Sequence, residues 1–404
     1  MQSLAATRRY WLPQLVLLAV LAVAGTVPFW LTDLDLSLAS VFYHPGSDDP
    51  WYQAQEPLWL LLYQLAPVLS GVVMIGALAV LAVCGVIPSL RKLRLYAVFV
   101  IAVSVLGPGL LVNGIFKEHW GRPRPHQLTD FGGTKTYLPP LMPGPSGEGK
   151  AFPCGHSSVG FALVAFVLIW LRRRPRLAAA ALVATLAAGG MLGLGRMVAG
   201  DHFLSDVIWS AVMVYAVALA LYYFVLRIPQ REDALAEAPP AGAAPPRHPR
   251  LGLAAYATLG IVMLVAVLLA TPLNQNEVTR FRPPDPLSPP RVLQVTVDDA
   301  EVVLHPMVAE GGVTAEVRLR GRGFGLPGGR LEQVREVRGE TLSYRIWHRG
   351  TFTERDAQVL VGLVPGVWDR VEVRVQRGDI QAMHAALLAP VLDLETANGE
   401  VVRP

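Results

Sequence analysis

The stretch GRMVAGDHFLSDVIW, residues 195–209, lies between two long apolar runs at 177–195 and 207–226. It places Arg196, Asp201, His202 and Asp206 side by side in a chain that otherwise avoids charge. Of the 404 residues, 52% are hydrophobic and 16% charged, and mean hydropathy is +0.40. Soluble domains carry roughly 25% charged residues. The deficit marks an integral membrane protein, and it makes a cluster of charges beside an apolar run something to be explained. The net charge of +4 is small and the basic residues sit in short loops, which argues against nucleic acid as a partner. The two cysteines, Cys84 and Cys154, lack metal-ligand spacing.

Working outward from this stretch, the apolar runs can be matched to a bilayer. A hydrocarbon core about 30 Å thick takes about 20 apolar residues as a helix. Spans are expected at 11–31, 64–88, 95–116, 156–171, 177–195, 207–226 and 251–272. The fourth is short, and its polar start is expected to face a water-filled cavity. Residues 57–63, PLWLLLY, are expected to form an interfacial helix ahead of the second span.

Charge then orients the spans. Arg8 and Arg9 precede the first, Arg91, Lys92 and Arg94 separate the second from the third, and RRRPR (172–176) separates the fourth from the fifth. Arg227, Arg231, Arg247 and Arg250 lie between the sixth and seventh. If every span crosses once, all of these fall on one side, which the positive-inside rule makes cytoplasmic. Residues 32–56, 117–155 and 196–206, and everything after 272, then face the other side. The first run also resembles a signal peptide with AVA at 22–24 as its cleavage site. Its apolar character continues to Trp30, which favours a retained helix. Cys84 and Cys154 fall at opposite ends of the spans. At about 1.5 Å of rise per residue they are separated by more than ~20 Å, too far for a disulfide.

Residues 228–250, PQREDALAEAPPAGAAPPRHPR with Ile228 before it, are rich in Pro and Ala and predict an extended cytoplasmic linker. The seventh span, 251–272, follows. In the tail, RVLQVTVDD, VTAEVRLRGRG, LSYRIWHRG and RVEVRVQRG alternate apolar and polar residues with period two. This predicts a β-rich extracytoplasmic domain over 273–404, whose charges are expected to form a solvated sheet face. A cell-envelope component is a candidate partner for it.

Three polar segments share the outer rim: KEHWGRPRPH (117–126), FPCGHSS (152–158) and the stretch quoted first. Charges at a membrane rim are costly and mark functional sites. Snorkelling anchors would explain one or two basic residues, but not two histidines and a carboxylate in the same layer. His202 and Asp206 are four apart, so they share a face if Asp206 opens the sixth helix. A carboxylate on one imidazole nitrogen leaves the other free to act as nucleophile or base. On its own such a pair is more often structural. Lys117, Arg124 and Arg196 supply cations, and an arginine fork suits two phosphate oxygens. The prolines at 123 and 125 hold the residues before them extended, so Arg122 and Arg124 are rivals for that task. In PCGHSS, Gly155 allows close backbone approach and the helix start favours anions, with His156 at its mouth; a lone histidine there would equally serve as a cap.

Together the three segments resemble the type 2 phosphatidic acid phosphatase superfamily, whose pattern is K-x6-R-P, then P-S-G-H, then S-R-x5-H-x3-D. Here they read Lys117-x6-Arg124-Pro125, then Pro153-Cys154-Gly155-His156, then Gly195-Arg196-x5-His202-x3-Asp206. The likeness covers about residues 10–226, with Cys154 and Gly195 each standing where the family has serine. It implies an all-α polytopic membrane bundle: a six-helix core within residues 1–227, to which the seventh span and the C-terminal β-rich domain are added. It also favours Arg124 over Arg122. The implied reaction has His202 attacking phosphorus to form a phosphohistidine, oriented by Asp206. His156 protonates the leaving group and then activates water. Lys117, Arg124, Arg196, Cys154 and Gly155 hold the phosphate, the thiol as a weaker donor than serine. No metal or other cofactor is expected. The implied substrate is a membrane-embedded lipid phosphate or pyrophosphate: undecaprenyl pyrophosphate, lipid A or a phosphatidylglycerol-phosphate type. Residues 122–140 are similar to the bacterial branch that includes lipid A phosphatases, which places the protein in a bacterial inner membrane with its site on the periplasmic side. Transfer of the phosphoryl group to another lipid, and a non-catalytic membrane scaffold, are the competing expectations.

Overall fold

The computed structural model describes residues 7–237 and 271–403, apart from 48–49, 147–148, 286–287, 310, 327 and 384. The chain divides into two units, Met1–Leu264 and Val265–Pro404.

The first unit is a helical bundle. Among the described residues, five helices are long and apolar enough to cross a membrane: Arg8–Leu31, Pro57–Val86, Ser89–Lys117, Pro175–Val198 and Leu204–Ala234. Gly155–Leu171 is a shorter apolar helix. These six coincide with the first six expected spans. The first is α1, Arg8–Ala24, followed after Gly25 and Thr26 by α2, Val27–Leu31, with Pro28 in its first turn, a position where the missing N–H costs nothing. A short helix, α3, Leu34–Ser40, comes next.

α4, Pro57–Val86, runs without a break through 57–63, so the separate interfacial helix expected there is the first two turns of the spanning helix itself. Thirty residues give about 45 Å of helix, longer than the hydrocarbon core is thick, and the excess carries Tyr63 to the level of the polar rim. α5, Arg94–Ser104, continues as a wider π-helix over Val105–Lys117. The change falls where Pro108, flanked by Gly107 and Gly109, removes a backbone donor. The Asn113 amide donates to the Pro108 carbonyl at 2.7 Å.

The fourth span is two helices, α6, Gly155–Phe161, and α7, Val164–Leu171. α8 is Pro175–Val198, and α9, Leu204–Leu219, also ends in a π-helical segment, Ala220–Val225. Phe99, Val103, Val112, Leu168, Val214 and Tyr222 pack wholly buried between these helices.

The sequence predicts an extended linker from residue 228, but Ile228–Glu237 is a helix, α10. Tertiary contacts hold it. Arg172 donates to both oxygens of Asp233 at 2.7 and 2.9 Å, and Glu232 accepts from the Tyr96 hydroxyl at 2.5 Å. The rest of that linker and residues 251–270 of the seventh span lie outside the described residues. Thr271 and Pro272, the last two positions of that expected span, instead open the strand β1, Thr271–Phe281.

The second unit is β-rich, as expected. Its other strands are β2, Val292–Asp299; β3, Glu301–Pro306; β4, Ala315–Gly325; β5, Arg330–Arg338; β6, Thr341–Arg349; β7, Phe352–Leu363; β8, Arg370–Arg377; β9, Ile380–Ala382; β10, Val391–Thr396; and β11, Val401–Val402. They form a six-stranded sheet, β1-β4-β7-β3-β9-β11, and a five-stranded sheet, β10-β8-β2-β6-β5. β2, β4, β6 and β8 are the segments whose alternation was legible, and in β4 Ala315, Val317 and Leu319 alternate inward. Leu293, Val295 and Val297 alternate inward with Leu342, Tyr344 and Ile346 and with Val371, Val373 and Val375, all in one buried cluster.

Candidate active site

The polar residues come from the end of α5, the loop that follows it, the start of α6, and the α8–α9 junction. Cys154 precedes α6, with Gly155 and His156 as its first two residues. Arg196 is in the last turn of α8, and Asp206 is the third residue of α9. The α9 N-terminus is secured by Asp206 itself, whose Oδ2 accepts from the Phe203 backbone N–H at 2.7 Å. That is the side-chain cap a helix start calls for, placed where the dipole favours a carboxylate. Lys117 is buried at the end of the π-helical segment. One turn earlier, Asn113 faces α6 so closely that a Cβ on Gly155 would lie 2.4 Å from its Oδ1. Only glycine allows that approach.

His202 is 1% exposed. Its Nδ1 lies 2.6 Å from the Ala151 carbonyl and 3.8 Å from Asp206 Oδ2. A carbonyl can only accept, so Nδ1 carries the proton and donates it. In the neutral ring Nε2 then holds the lone pair, and this buried atom makes no geometrically formed hydrogen bond among the described residues. Burial favours the neutral ring, but the neighbouring Cys154 thiol and the Asp206 carboxylate outweigh it, and His202 titrates above the ordinary histidine value. Cys154, wholly buried, shows the converse. Burial raises its thiol, while the adjacent His202 imidazole and Ser157 lower it further, to about 7. The two side chains act on each other through charge and through direct polar contact. Backbone contacts fix the cysteine: its carbonyl accepts from Ser210 Oγ at 2.7 Å and its N–H donates to the Asp206 carbonyl at 3.3 Å.

A second group lies around Asp201. One carboxylate oxygen is 3.2 Å from Arg124 Nη1 and the other 3.0 Å from Arg196 Nη2. Two guanidiniums on one carboxylate leave a charge of +1, with all three side chains nearly buried. His126 Nδ1 donates to the Gly200 carbonyl at 2.9 Å, and its backbone N–H to the same oxygen at 3.0 Å. Gly200 has φ +68, and a Cβ there would strike the Trp51 ring at 2.6 Å. Only glycine can make this turn ahead of Asp201. Tyr63 of α4 ties the group to the second histidine. Arg196 lies 4.7 Å over its ring, and His156 stacks on it at 4.9 Å with 28° between the planes.

Arg122 and Arg124, both buried, differ in their partners. Arg122 is 0% exposed and ion-pairs with both Asp206 and Asp35. It also donates to the Ser205 hydroxyl and the Leu138 carbonyl and lies 4.6 Å over the Phe203 ring. It is committed to the protein, whereas Arg124 stands beside Arg196. The two histidines, Asp206, Arg124, Arg196, Cys154 and Gly155 are thus drawn to one end of the bundle, and Lys117 ends the helix that packs there. Sequence reasoning missed Tyr63, Asp35, Tyr137 and Ser205 and assigned no role to Asp201. Asp35 carried a faint signal, being a carboxylate just beyond an apolar span. Tyr63 carried none within its run of leucines.

Residues 93–229 match the family model described as the PAP2 superfamily. The chain is 42% identical over 133 residues to a lipid A 4'-phosphatase of Francisella tularensis subsp. novicida, a match covering 32% of this chain and 59% of that one. It is 39% identical over 125 residues to a lipid A 4'-phosphatase of Rhizobium leguminosarum, covering 29% and 51%. A third protein of that name, from Rhizobium etli, is 40% identical over 125 residues, covering 29% and 46%. The chain therefore spans about half the length of the curated relatives it matches.

Proposed function

We propose that this chain, a PAP2 superfamily protein by its residues 93–229, is a membrane lipid phosphatase that works through a phosphohistidine on His202. The observation that carries the reading is the state of that imidazole. Its Nδ1 donates to the Ala151 carbonyl, so in the neutral ring the opposite nitrogen holds the unshared pair, and the residue before it in the chain, Asp201, is held by Arg124 and Arg196. Nucleophilic catalysis requires an unprotonated attacking atom and cations for the charge on the transferring group.

In this mechanism the phosphate displaces the Asp201 carboxylate from Arg124 and Arg196, which take up the equatorial oxygens together with Lys117. His202 Nε2 attacks phosphorus, and the imidazole becomes cationic while Asp206 stands behind it. His156, held against Tyr63, gives its proton to the leaving oxygen and later takes one from water. Phosphoryl transfer needs little beyond positioning and charge stabilisation, which these residues supply. Cys154 contributes its backbone more than its thiol.

The substrate we assign is a lipid phosphomonoester of the lipid A kind. The names of the relatives support this choice, as does the position of the site at the end of the bundle away from the basic loops. The positive-inside pattern supports assigning that end, and the β-rich unit, to the periplasmic side of a bacterial inner membrane. The test is phosphate release from lipid A, undecaprenyl pyrophosphate and phosphatidylglycerol phosphate by the purified chain, with and without chelator. Release from lipid A that survives the chelator is expected. No release from any of the three would overturn the reading.

A further inference from the structure

The buried ions behind His202 include one member from outside the family-matched segment. Asp35 belongs to α3, is 1% exposed, and lies far in sequence from every motif. Its Oδ2 accepts from Arg122 Nη2 at 2.9 Å and from the Tyr137 hydroxyl at 3.1 Å, and its Oδ1 accepts from the Ser205 backbone N–H at 3.1 Å. The Ser205 hydroxyl donates to it as well. Arg122 spends all five of its N–H groups: Nε on Leu138, Nη1 on Ser205 and Asp206, and Nη2 on Asp35 and Tyr137.

We infer that Asp35 is a positioning residue for the phosphoryl-transfer step, acting through Arg122 to fix the Asp206 carboxylate and to keep one net negative charge behind His202. Charge counting gives the reason. Arg122 paired with Asp206 alone would cancel it, leaving the Cys154 thiol as the remaining acidic group beside the imidazole cation formed on attack. Burial pushes the Asp35 carboxyl up, while Arg122 and the Ser205 donors favour its ionised form; with both carboxylates ionised the trio carries one net negative charge, which the cationic ring balances. Geometry gives a second reason. Asp35 holds the Ser205 N–H in the first turn of α9, one residue before Asp206, so the same carboxylate sets both the charge and the place of its partner. Buried ion groups of this kind are often no more stable than apolar packing. Their location at the nucleophile is what a catalytic role would require.

The inference rests on the phosphohistidine reading, and its test separates the two. The full chain and its Asp35→Asn and Asp35→Glu variants are compared in nanodiscs with radiolabelled lipid A, following steady-state turnover and formation of alkali-stable phosphoenzyme. Asp35→Asn is expected to lower kcat and the phosphoenzyme rate together, by about tenfold to a hundredfold, with KM within about twofold. Asp35→Glu is expected to restore part of both. The titration of His202, read from its imidazole 15N resonances, reports on the charge without turnover. The groups facing the ring are Cys154 from the α6 start, Asp206 from α9 and, behind them, Arg122. With these unchanged, Asp35→Asn should move the titration to lower pH. An unmoved titration, or kcat within twofold of the parent, would overturn the inference. If Asp35→Asn does not fold, Ser205→Ala, which removes only the hydroxyl shared by Arg122 and Asp35, should still lower kcat, and an unchanged kcat there would equally overturn it. A parent chain that neither releases phosphate nor becomes labelled would defeat the functional reading, while the resonance titration would still decide the role of Asp35.

Discussion

Among the described residues, His202 has the Ala151 carbonyl and the Asp206 carboxylate at one nitrogen and no geometrically formed hydrogen bond at the other, and the chemistry proposed for the site follows from that asymmetry. Its coupling to Cys154 gives a pH-dependent prediction. The thiol raises the histidine's pKa, and only the neutral ring can attack. Activity should therefore fall on the acid side with a midpoint above the ordinary histidine value of about 6.5. Cys154→Ser removes the ionisable partner, so the acid limb of kcat/KM should move to lower pH; profiles that superimpose would contradict the coupling. The two neighbouring arginines predict a second contrast. Arg122→Gln leaves Asp35 and Asp206 buried without their cation, a change that costs about 3–5 kcal/mol. It should lower the unfolding midpoint of the purified protein. Arg124→Gln should leave that midpoint almost unchanged while cutting kcat/KM by about a hundredfold or more. In the sequence only the register of the family pattern favoured Arg124 over Arg122. Asp35 could not be read there, because its partners Arg122 and Ser205 are 87 and 170 positions away and only the folded chain brings them together.

At the scale of elements, the six helices of the core were legible from apolar run length, and the β-rich unit from period-two alternation. What escaped was decided by contacts between elements. Residues 228–237 have little apolar pattern, so nothing local announces α10, which is held by Arg172 and Tyr96 on other helices. The opening of α4 looked like a separate interfacial piece because its leucines are uniform, yet its continuity delivers Tyr63 to the site. The Tyr63 ring stacks on His156 and underlies Arg196, contacts worth about 1 kcal/mol each. Tyr63→Leu should therefore lower kcat by about tenfold, and Tyr63→Phe, which keeps the ring, should retain most of it. Equal losses in the two variants would show that the hydroxyl matters and the stacking does not.

At the scale of the whole molecule, every residue proposed for catalysis lies in the first unit, and the second has its own closed core of inward-facing strand residues. A chain ending at residue 250 should accordingly keep kcat on a detergent-dispersed lipid within a few-fold of the parent. Complete loss in a truncated protein that still purifies as a folded bundle would assign the β-rich unit a part in the reaction. The central claim concerns the bond formed between phosphorus and the imidazole. Its most direct test is to quench the purified protein in alkali during turnover of a lipid carrying labelled phosphate and to locate the label by mass spectrometry. The account predicts an alkali-stable phosphoryl group on His202 that is absent from His202→Ala. Label at another residue, or undiminished phosphate release by His202→Ala, would contradict it.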